Sequence, residues 1–277
     1  MGIMAPAATE PEKNAGGDGD APVTAPRLES CYFGGLEWDR LARVLRHTAR
    51  QHLQGWDVNV ERIAPERKVA NQYGDPGYTA NALKLDRWVQ LVNEARDGDR
   101  LLLIDTDTVV LAPLDPVWDM AFDVALTTKV SGSRPPFNAG VVFCRVNERT
   151  RSFFRYWRFC DEEMLRNGGL FQDVRKRYVG LNQSALGWML ELRGQPGRLP
   201  DIEDLFLRWI PCSEWNAEES CWLTEPLERA RVLHVKGALA ATVFKRRAAE
   251  VGLIPLADMW RQLELEARNA EDVCASA

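Results

Sequence analysis

The chain has no Cys-x-x-Cys pair. Its six cysteines, Cys31, Cys144, Cys160, Cys212, Cys221 and Cys274, are scattered, which excludes a paired-cysteine zinc site and argues against a disulfide framework. Read as free thiols, they suit a reducing compartment. No apolar run is long enough for a membrane span, and the N-terminus lacks the charged-then-apolar layout of a signal peptide. The expectation is a cytoplasmic protein with no membrane span. Positive charge is not in excess: 35 basic against 40 acidic residues leave −5, so there is no general footprint for nucleic acid. Two basic runs, Arg145, Arg149, Arg151, Arg155 and Arg158, then Lys245-Arg246-Arg247, read as solvated faces. Histidine is scarce, with only three; His47 and His52 fall on a helical pattern and suit packing or surface roles.

What remains is an ordinary globular chain of 277 residues, enough for one large α/β domain or two small ones. Residues 1–26 are rich in Ala, Pro, Gly, Asp and Glu without periodicity and read as a disordered tail. Residues 27–267 read as a single domain, followed by a polar tail over 268–277. Leu28–Phe33 is a strand closed by Gly34-Gly35. A helix carries Leu41, Val44, Leu45, Thr48 and Leu53 and stops at Gly55, and Asp57–Ile63 is a second strand. Residues 64–78 read as a loop, and Asn81–Ala95 as a helix. Asp115 reads as the cap of a short helix that starts at Pro116. Strands follow at Asp123–Thr127 and Pro136–Val146. Asn147 caps a long helix with Phe153, Trp157, Cys160 and Met164 on its core side. Leu181–Leu192 is helical, Phe206–Trp215 and Arg231–Val235 are strands, and Ala257–Ala267 is a last amphipathic helix. The fold class is α/β, with a mixed, mostly parallel sheet flanked by helices.

The chemistry gathers at Arg100-Leu-Leu-Leu-Ile-Asp-Thr-Asp-Thr108. An unbroken apolar run reads as a strand buried on both faces, and it ends in two carboxylates at i and i+2. On an extended segment Asp105 and Asp107 point to one side, just past a strand's carboxyl end, where open α/β sheets bind ligands. Two hard oxygen donors suit Mn²⁺ or Mg²⁺ holding a diphosphate. The same three residues also fit a plain polar turn. His234 lies at the end of the strand Val232-Leu-His-Val235 and supplies an imidazole, a suitable third metal ligand. Lys236 and Gly237 follow, a cation and a flexible position suited to a diphosphate.

Lys84-Leu-Asp-Arg-Trp88, Leu103–Val109, Phe137-Asn-Ala-Gly-Val141, Leu181-Asn-Gln-Ser-Ala-Leu186 and His234-Val-Lys-Gly237, in this order, resemble the glycogenin-like, family 8 glycosyltransferases. That resemblance implies the GT-A (Rossmann-like) fold and a retaining, metal-dependent transfer of a hexose from a UDP-sugar. It implies that Asp105, Asp107 and His234 hold Mn²⁺ (or Mg²⁺). It places Tyr32, Phe33, Lys84, Asp105, Thr106, Asn138, Ala139, Gly140, Lys236 and Gly237 around the donor, with Gln183 and Asn182 at the reacting centre. Family members usually have Asp-Gln where this chain has Asn182-Gln183, and Asn182 also fits a helix cap. A same-face transfer, with the diphosphate itself taking the acceptor's proton, is likewise what the resemblance implies.

Two other readings stay open. A nucleotidyltransferase on a similar sheet usually carries a Gly-rich basic loop after its first strand, and Tyr32-Phe-Gly-Gly35 has no neighbouring Lys. A non-catalytic nucleotide-sugar-binding module fits the altered Asn182. The acceptor is open among glycans, lipids, proteins and modified nucleic acids. Tyr73, Tyr78 and Tyr178 lie in or near loops, where self-glycosylation would need a tyrosine.

Overall fold

A computed structural model describes residues 24–64, 71–129, 135–218, 227–244 and 251–275. Thus most of the expected N-terminal tail, Cys221 and the Lys245-Arg246-Arg247 run lie outside the described residues. The chain opens with strand β1 (Arg27–Tyr32), helix α1 (Leu36–His52) and strand β2 (Asp57–Arg62), and β1 and β2 pair in parallel. Helix α2 (Pro76–Glu94) leads into β3 (Arg100–Ile104), which returns to the other side of β1, again parallel. After β4 (Thr108–Val110) come β5 (Val124–Thr128), β6 (Phe137–Arg145) and β7 (Leu207–Pro211). The main sheet has the order β2-β1-β3-β6-β5-β7, and β6 alone opposes the other strands. The chain steps from β1 outward to β2 and then crosses to β3 on the other side of β1. This switch in strand order opens a crevice past the carboxyl ends of β1 and β3, the place where such sheets take ligands.

β3 is buried on both faces, as its apolar run requires. Leu101 and Leu103 pack on one side with α2, α3 (Glu148–Arg166) and α5 (Leu181–Arg193). Leu102 and Ile104 pack on the other with α1 residues such as Leu45 and Ala49. Full burial of each such side chain contributes about 1.5–3 kcal/mol. A third cluster joins the outer side of α1 to β8 (Val232–His234), α7 (Gly237–Val243) and α8 (Ile254–Ala275). The short helices α4 (Gln172–Arg177) and α6 (Cys212–Trp215) complete the described set.

Several boundaries differ from the sequence expectation, each for a local reason. α2 begins at Pro76 inside the expected loop, because Asp75 caps it by accepting from Gly77 N at 2.7 Å and proline suits the first turn. Asp115 is not a cap: it is the first residue of a 3₁₀ turn, and its Oδ1 accepts from Trp56 Nε1 at 3.0 Å. The strand expected over Phe206–Trp215 stops at Pro211 and gives way to α6. The last helix starts at Ile254 and continues to Ala275, through most of the segment read as a polar tail. Its Glu271 meets Arg43 of α1 at 2.7 Å. Asn147 does cap α3, accepting from Thr150 N at 2.9 Å.

The arginine run does not form a free basic patch. Arg145 donates to the Trp118 carbonyl, and Arg149, Arg151 and Arg155 lie beside Asp123, Asp97 and Glu148. Cys31, Cys144 and Cys160 are buried free thiols, and Cys212 is buried with its Sγ donating to the Asn216 carbonyl at 3.0 Å. No helix among the described residues is long and apolar enough to cross a membrane.

Candidate active site

The carboxylate pair does not sit on an extended segment. β3 ends at Ile104, residues 106 and 107 form a tight turn, and β4 starts at Thr108. Thr108 Oγ1 donates to the Asp105 carbonyl at 2.6 Å and Asp105 N to the Gly140 carbonyl at 2.8 Å, which fix the turn against β6. β4 then pairs antiparallel with β8, placing Thr108 opposite His234. Val235 N donates to the Asp107 carbonyl at 2.6 Å. This two-stranded ribbon carries a histidine 127 residues away in sequence to Asp107, with His234 Nε2 3.1 Å from Asp107 Oδ1.

Asp105, Asp107 and His234 each offer a ligand atom, and these atoms lie within 4.8 Å of one another. His234 is buried, and its Nδ1 pairs with Asn216 Oδ1 at 3.0 Å. That contact fixes the ring and leaves Nε2 facing the carboxylates. Gly140 lies under the cluster: a Cβ there would sit 2.5 Å from His234 Cε1 and 2.8 Å from Asp105 Oδ2. Oxygen, oxygen and imidazole nitrogen around a space that no Cβ enters fit Mn²⁺ or Mg²⁺.

Lys84 comes up from α2, its Nζ 2.5 Å from Asp105 Oδ1 and 4.7 Å from the Trp88 ring centre. Burial alone would push the Lys84 pKa down, but the Asp105 carboxylate outweighs it and raises the pKa above the ordinary value. Burial likewise pushes Asp107 up, and the neighbouring His234, with Lys236 and Lys84, outweighs this and holds it low. The site is therefore charged on both sides.

Beside the cluster lies a cleft of about 480 Å³, whose lining includes Tyr32, Phe33, Trp38, Asn81, Lys84 and the Asp105–Asp107 turn. Tyr32 is more wall than contact, being buried with its hydroxyl donated to Asp39 at 3.0 Å. Thr106 lines the cleft, but its hydroxyl faces β1, paired with Ser30 Oγ at 2.8 Å. Trp38 is 41% exposed at the cleft. A wider groove of about 620 Å³ next to it is lined by charged residues such as Arg87 and Glu61, themselves paired at 2.6 Å. Asp105, Asp107 and His234 do not line it.

On the far side, Asn138 Oδ1 accepts from Gly140 N at 2.8 Å, and Ala139 N donates to Gln183 Oε1 at 3.3 Å. Lys236 and Gly237 follow β8 directly, with Gly237 at φ +57° opening α7. Asn182 is not a cap: Gly180, at φ +88°, takes that position and Asn182 lies in the first turn of α5. Its Nδ2 donates to the Asn81 carbonyl at 3.0 Å. A carboxylate at 182 would set oxygen against oxygen there, which gives asparagine a local reason. Tyr73, Tyr78 and Tyr178 are half-buried, and each hydroxyl is engaged, with the Met164 carbonyl, Arg175 and Glu191 respectively.

The sequence reading missed Asn216, Glu218 and Lys129. Glu218 is buried, hydrogen-bonded by Asn138 Nδ2 at 2.6 Å and ion-paired with Lys129 and Lys236.

Asp161 of α3 is 1% exposed, and its Oδ1 finds no hydrogen-bond partner among the described residues. Burial pushes its pKa up to about 7, with Lys84 opposing and Asp86 and Glu162 adding. The unfolded carboxyl titrates near 4, so between about pH 4 and 7 only the folded chain keeps this proton. Its share of stability is full below pH 4 and is lost as pH rises to about 7, at about 1.4 kcal/mol per unit. Asp161→Asn should remove that slope and stabilise the protein by roughly 2–4 kcal/mol at pH 8. Urea unfolding of both forms at pH 4 and pH 8 checks it; equal gains at the two pH values would contradict it.

No protein-family model and no curated protein sequence matches the chain. Solved structures do resemble it. A glycosyltransferase involved in glycosylation of the major capsid of PBCV-1 aligns with TM-score 0.52 and 14% identity, over 78% of this chain and 96% of that one. The glycosyltransferase GlyE of Streptococcus pneumoniae TIGR4 aligns with TM-score 0.51 and 12% identity, over 87% of this chain and 60% of that one. This chain therefore spans less than two thirds of GlyE. The galactosyltransferase LgtC, solved with donor and acceptor sugar analogs, aligns with TM-score 0.50 and 15% identity, over 87% and 95%. At these identities the likeness establishes the fold, which is GT-A.

Proposed function

We propose that this chain is a glycosyltransferase that moves a hexose from a UDP-sugar to an acceptor, with retention at the anomeric carbon and dependence on Mn²⁺ or Mg²⁺. The observation that carries the reading is the convergence of Asp105, Asp107 and His234 beside a nucleotide-sized cleft at the β1/β3 switch point. The resemblance of five ordered motifs to family 8 glycosyltransferases supports it, as does the GT-A fold shared with LgtC, GlyE and the PBCV-1 enzyme.

Asp105, Asp107 and His234 would hold a divalent cation, which would supply positive charge to offset the negative charge of a leaving diphosphate. The rest belongs to the chain's own residues. The wall around Tyr32 and Phe33 receives the nucleoside and keeps water from it. Lys84 and Lys236 bring cations to opposite sides of the diphosphate, preorganised by Asp105 and Glu218, so that little reorganisation is needed as the sugar–phosphate bond breaks. Asn138, held by Gly140 and Glu218, presents a fixed edge to the sugar. Gln183, half-buried beside Ala139, places a carbonyl oxygen where positive charge develops at the anomeric carbon.

The test is UDP release from a panel of UDP-sugars, with Mn²⁺ and with chelator. Slow hydrolysis of one donor, abolished by chelator, is the expected result. Release of no nucleotide from any donor, together with no thermal shift by UDP and Mn²⁺, would sink the proposal. Pyrophosphate release from a nucleoside triphosphate and a sugar phosphate would favour the nucleotidyltransferase reading instead.

A further inference from the structure

The short segment Asn216–Glu218 links two parts of the site. Asn216 holds His234, and two residues later Glu218 gathers Asn138, Lys236 and Lys129. Ala217 between them is hydrogen-bonded to β8 on both sides, through Val232 O at 2.8 Å and His234 N at 2.7 Å. Glu218 is therefore fixed by backbone as well as by its ion pairs. Its side chain is 4% exposed and that of Lys129 10%, whereas that of Lys236 is 36% exposed. Of these three side chains, that of Lys236 is the one most open to solvent.

Two lysines share one carboxylate, which leaves one net positive charge among the described residues of the cluster. Burial raises the Glu218 pKa, but the two lysines outweigh it and hold it at about 2, so the carboxylate stays ionised. A Lys236–Glu218 pair alone would be neutral, and in a weakly screened interior a neutral pair attracts an anion poorly. Nor does stability account for the cluster, because well-packed apolar side chains commonly replace buried ion pairs without loss.

We propose that Lys129 serves donor binding by charge and not by contact: it neutralises Glu218, so that Lys236, positioned by Glu218, meets a diphosphate with its charge not cancelled by Glu218. Lys129 and Glu218 are then positioning residues, one for charge and one for place. This rests on the diphosphate-binding reading above.

The test is calorimetric titration of inorganic pyrophosphate and of UDP, each with Mn²⁺, into wild type, Lys129→Gln and Lys129→Gln/Glu218→Gln. Glutamine at 129 keeps a donor for the carboxylate while removing the charge. Lys129→Gln should weaken pyrophosphate binding about tenfold, the scale of one charge acting through protein. The double variant restores a single positive charge and should return to within about threefold of wild type, a rescue that a purely structural role would not give. Melting temperatures accompany each titration. If Lys129→Gln fails to fold, the double variant decides alone: affinity within about threefold agrees, and a tenfold loss overturns the proposal. Unchanged binding in Lys129→Gln, or a double variant no better than the single, overturns this inference and leaves the diphosphate reading intact. Wild type that binds neither probe overturns both.

Discussion

Asp107→Asn lowers metal-dependent sugar transfer or donor hydrolysis by about a thousandfold, the rate equivalent of roughly 4 kcal/mol of lost charge stabilisation. The substitution keeps shape and an oxygen for His234, whose Nε2 lies 3.1 Å from Asp107 Oδ1, so the fold should be retained. Asp105→Ala is a poorer choice, because it strands the half-buried Lys84 that Asp105 holds at 2.5 Å and so costs stability as well. The check is turnover against Mn²⁺ concentration, with melting curves with and without Mn²⁺. Loss of both turnover and the Mn²⁺-induced shift, with little change in the metal-free melting temperature, is expected. A variant that keeps more than a tenth of wild-type turnover would show that Asp107 is only a turn residue.

Gly140→Ala is the second large effect, and it isolates space from chemistry. The added methyl would lie 2.5 Å from His234 Cε1, 2.8 Å from Asp105 Oδ2 and 3.0 Å from Asn138 Oδ1. All three neighbours are held: His234 by Asn216, Asp105 by Lys84 and the β6 backbone, Asn138 by Glu218. None can step aside without breaking a contact the site uses. We expect metal affinity to fall about 10–100-fold, as when the support of a metal ligand is removed, and transfer to fall at least as far. Gly169→Ala is the control, since a Cβ there meets nothing within 4 Å. Equal metal affinity in Gly140→Ala and the control would mean that the metal does not sit over Gly140.

Much of the framework was legible because burial writes itself into residue order. Leu101–Ile104 has no polar face to spare, and the structure packs alternate residues into two different cores. The acidic pair, the C-terminal His234 and the Lys236-Gly237 step were visible as residue types that suit one chemistry. Their meeting point was not visible. It depends on three residue pairs between β4 and β8, too short a run to carry a period. It also depends on a turn at Asp105–Asp107 where an extended geometry was expected.

Glu218 and Lys129 were hidden for another reason. A buried ion pair reads in sequence as two unrelated surface charges, and only the tertiary contact between the end of β5 and the segment after α6 gives it meaning. The start of α2 differs again, because its signal was present. Asp75-Pro76 is a sound helix opening, outweighed in the reading by the glycines at 74 and 77. The start of α1 at Leu36, 82% exposed, left no apolar periodicity to read.

The central claim is that Asp105, Asp107 and His234 hold a divalent cation through which this fold binds a nucleoside diphosphate. Isothermal titration of UDP into the full chain, with Mn²⁺ and with excess chelator, tests it most directly. Saturable binding at one site with Mn²⁺, lost with chelator and lost in Asp107→Asn, is the predicted result. UDP binding of equal strength with and without the metal would contradict it.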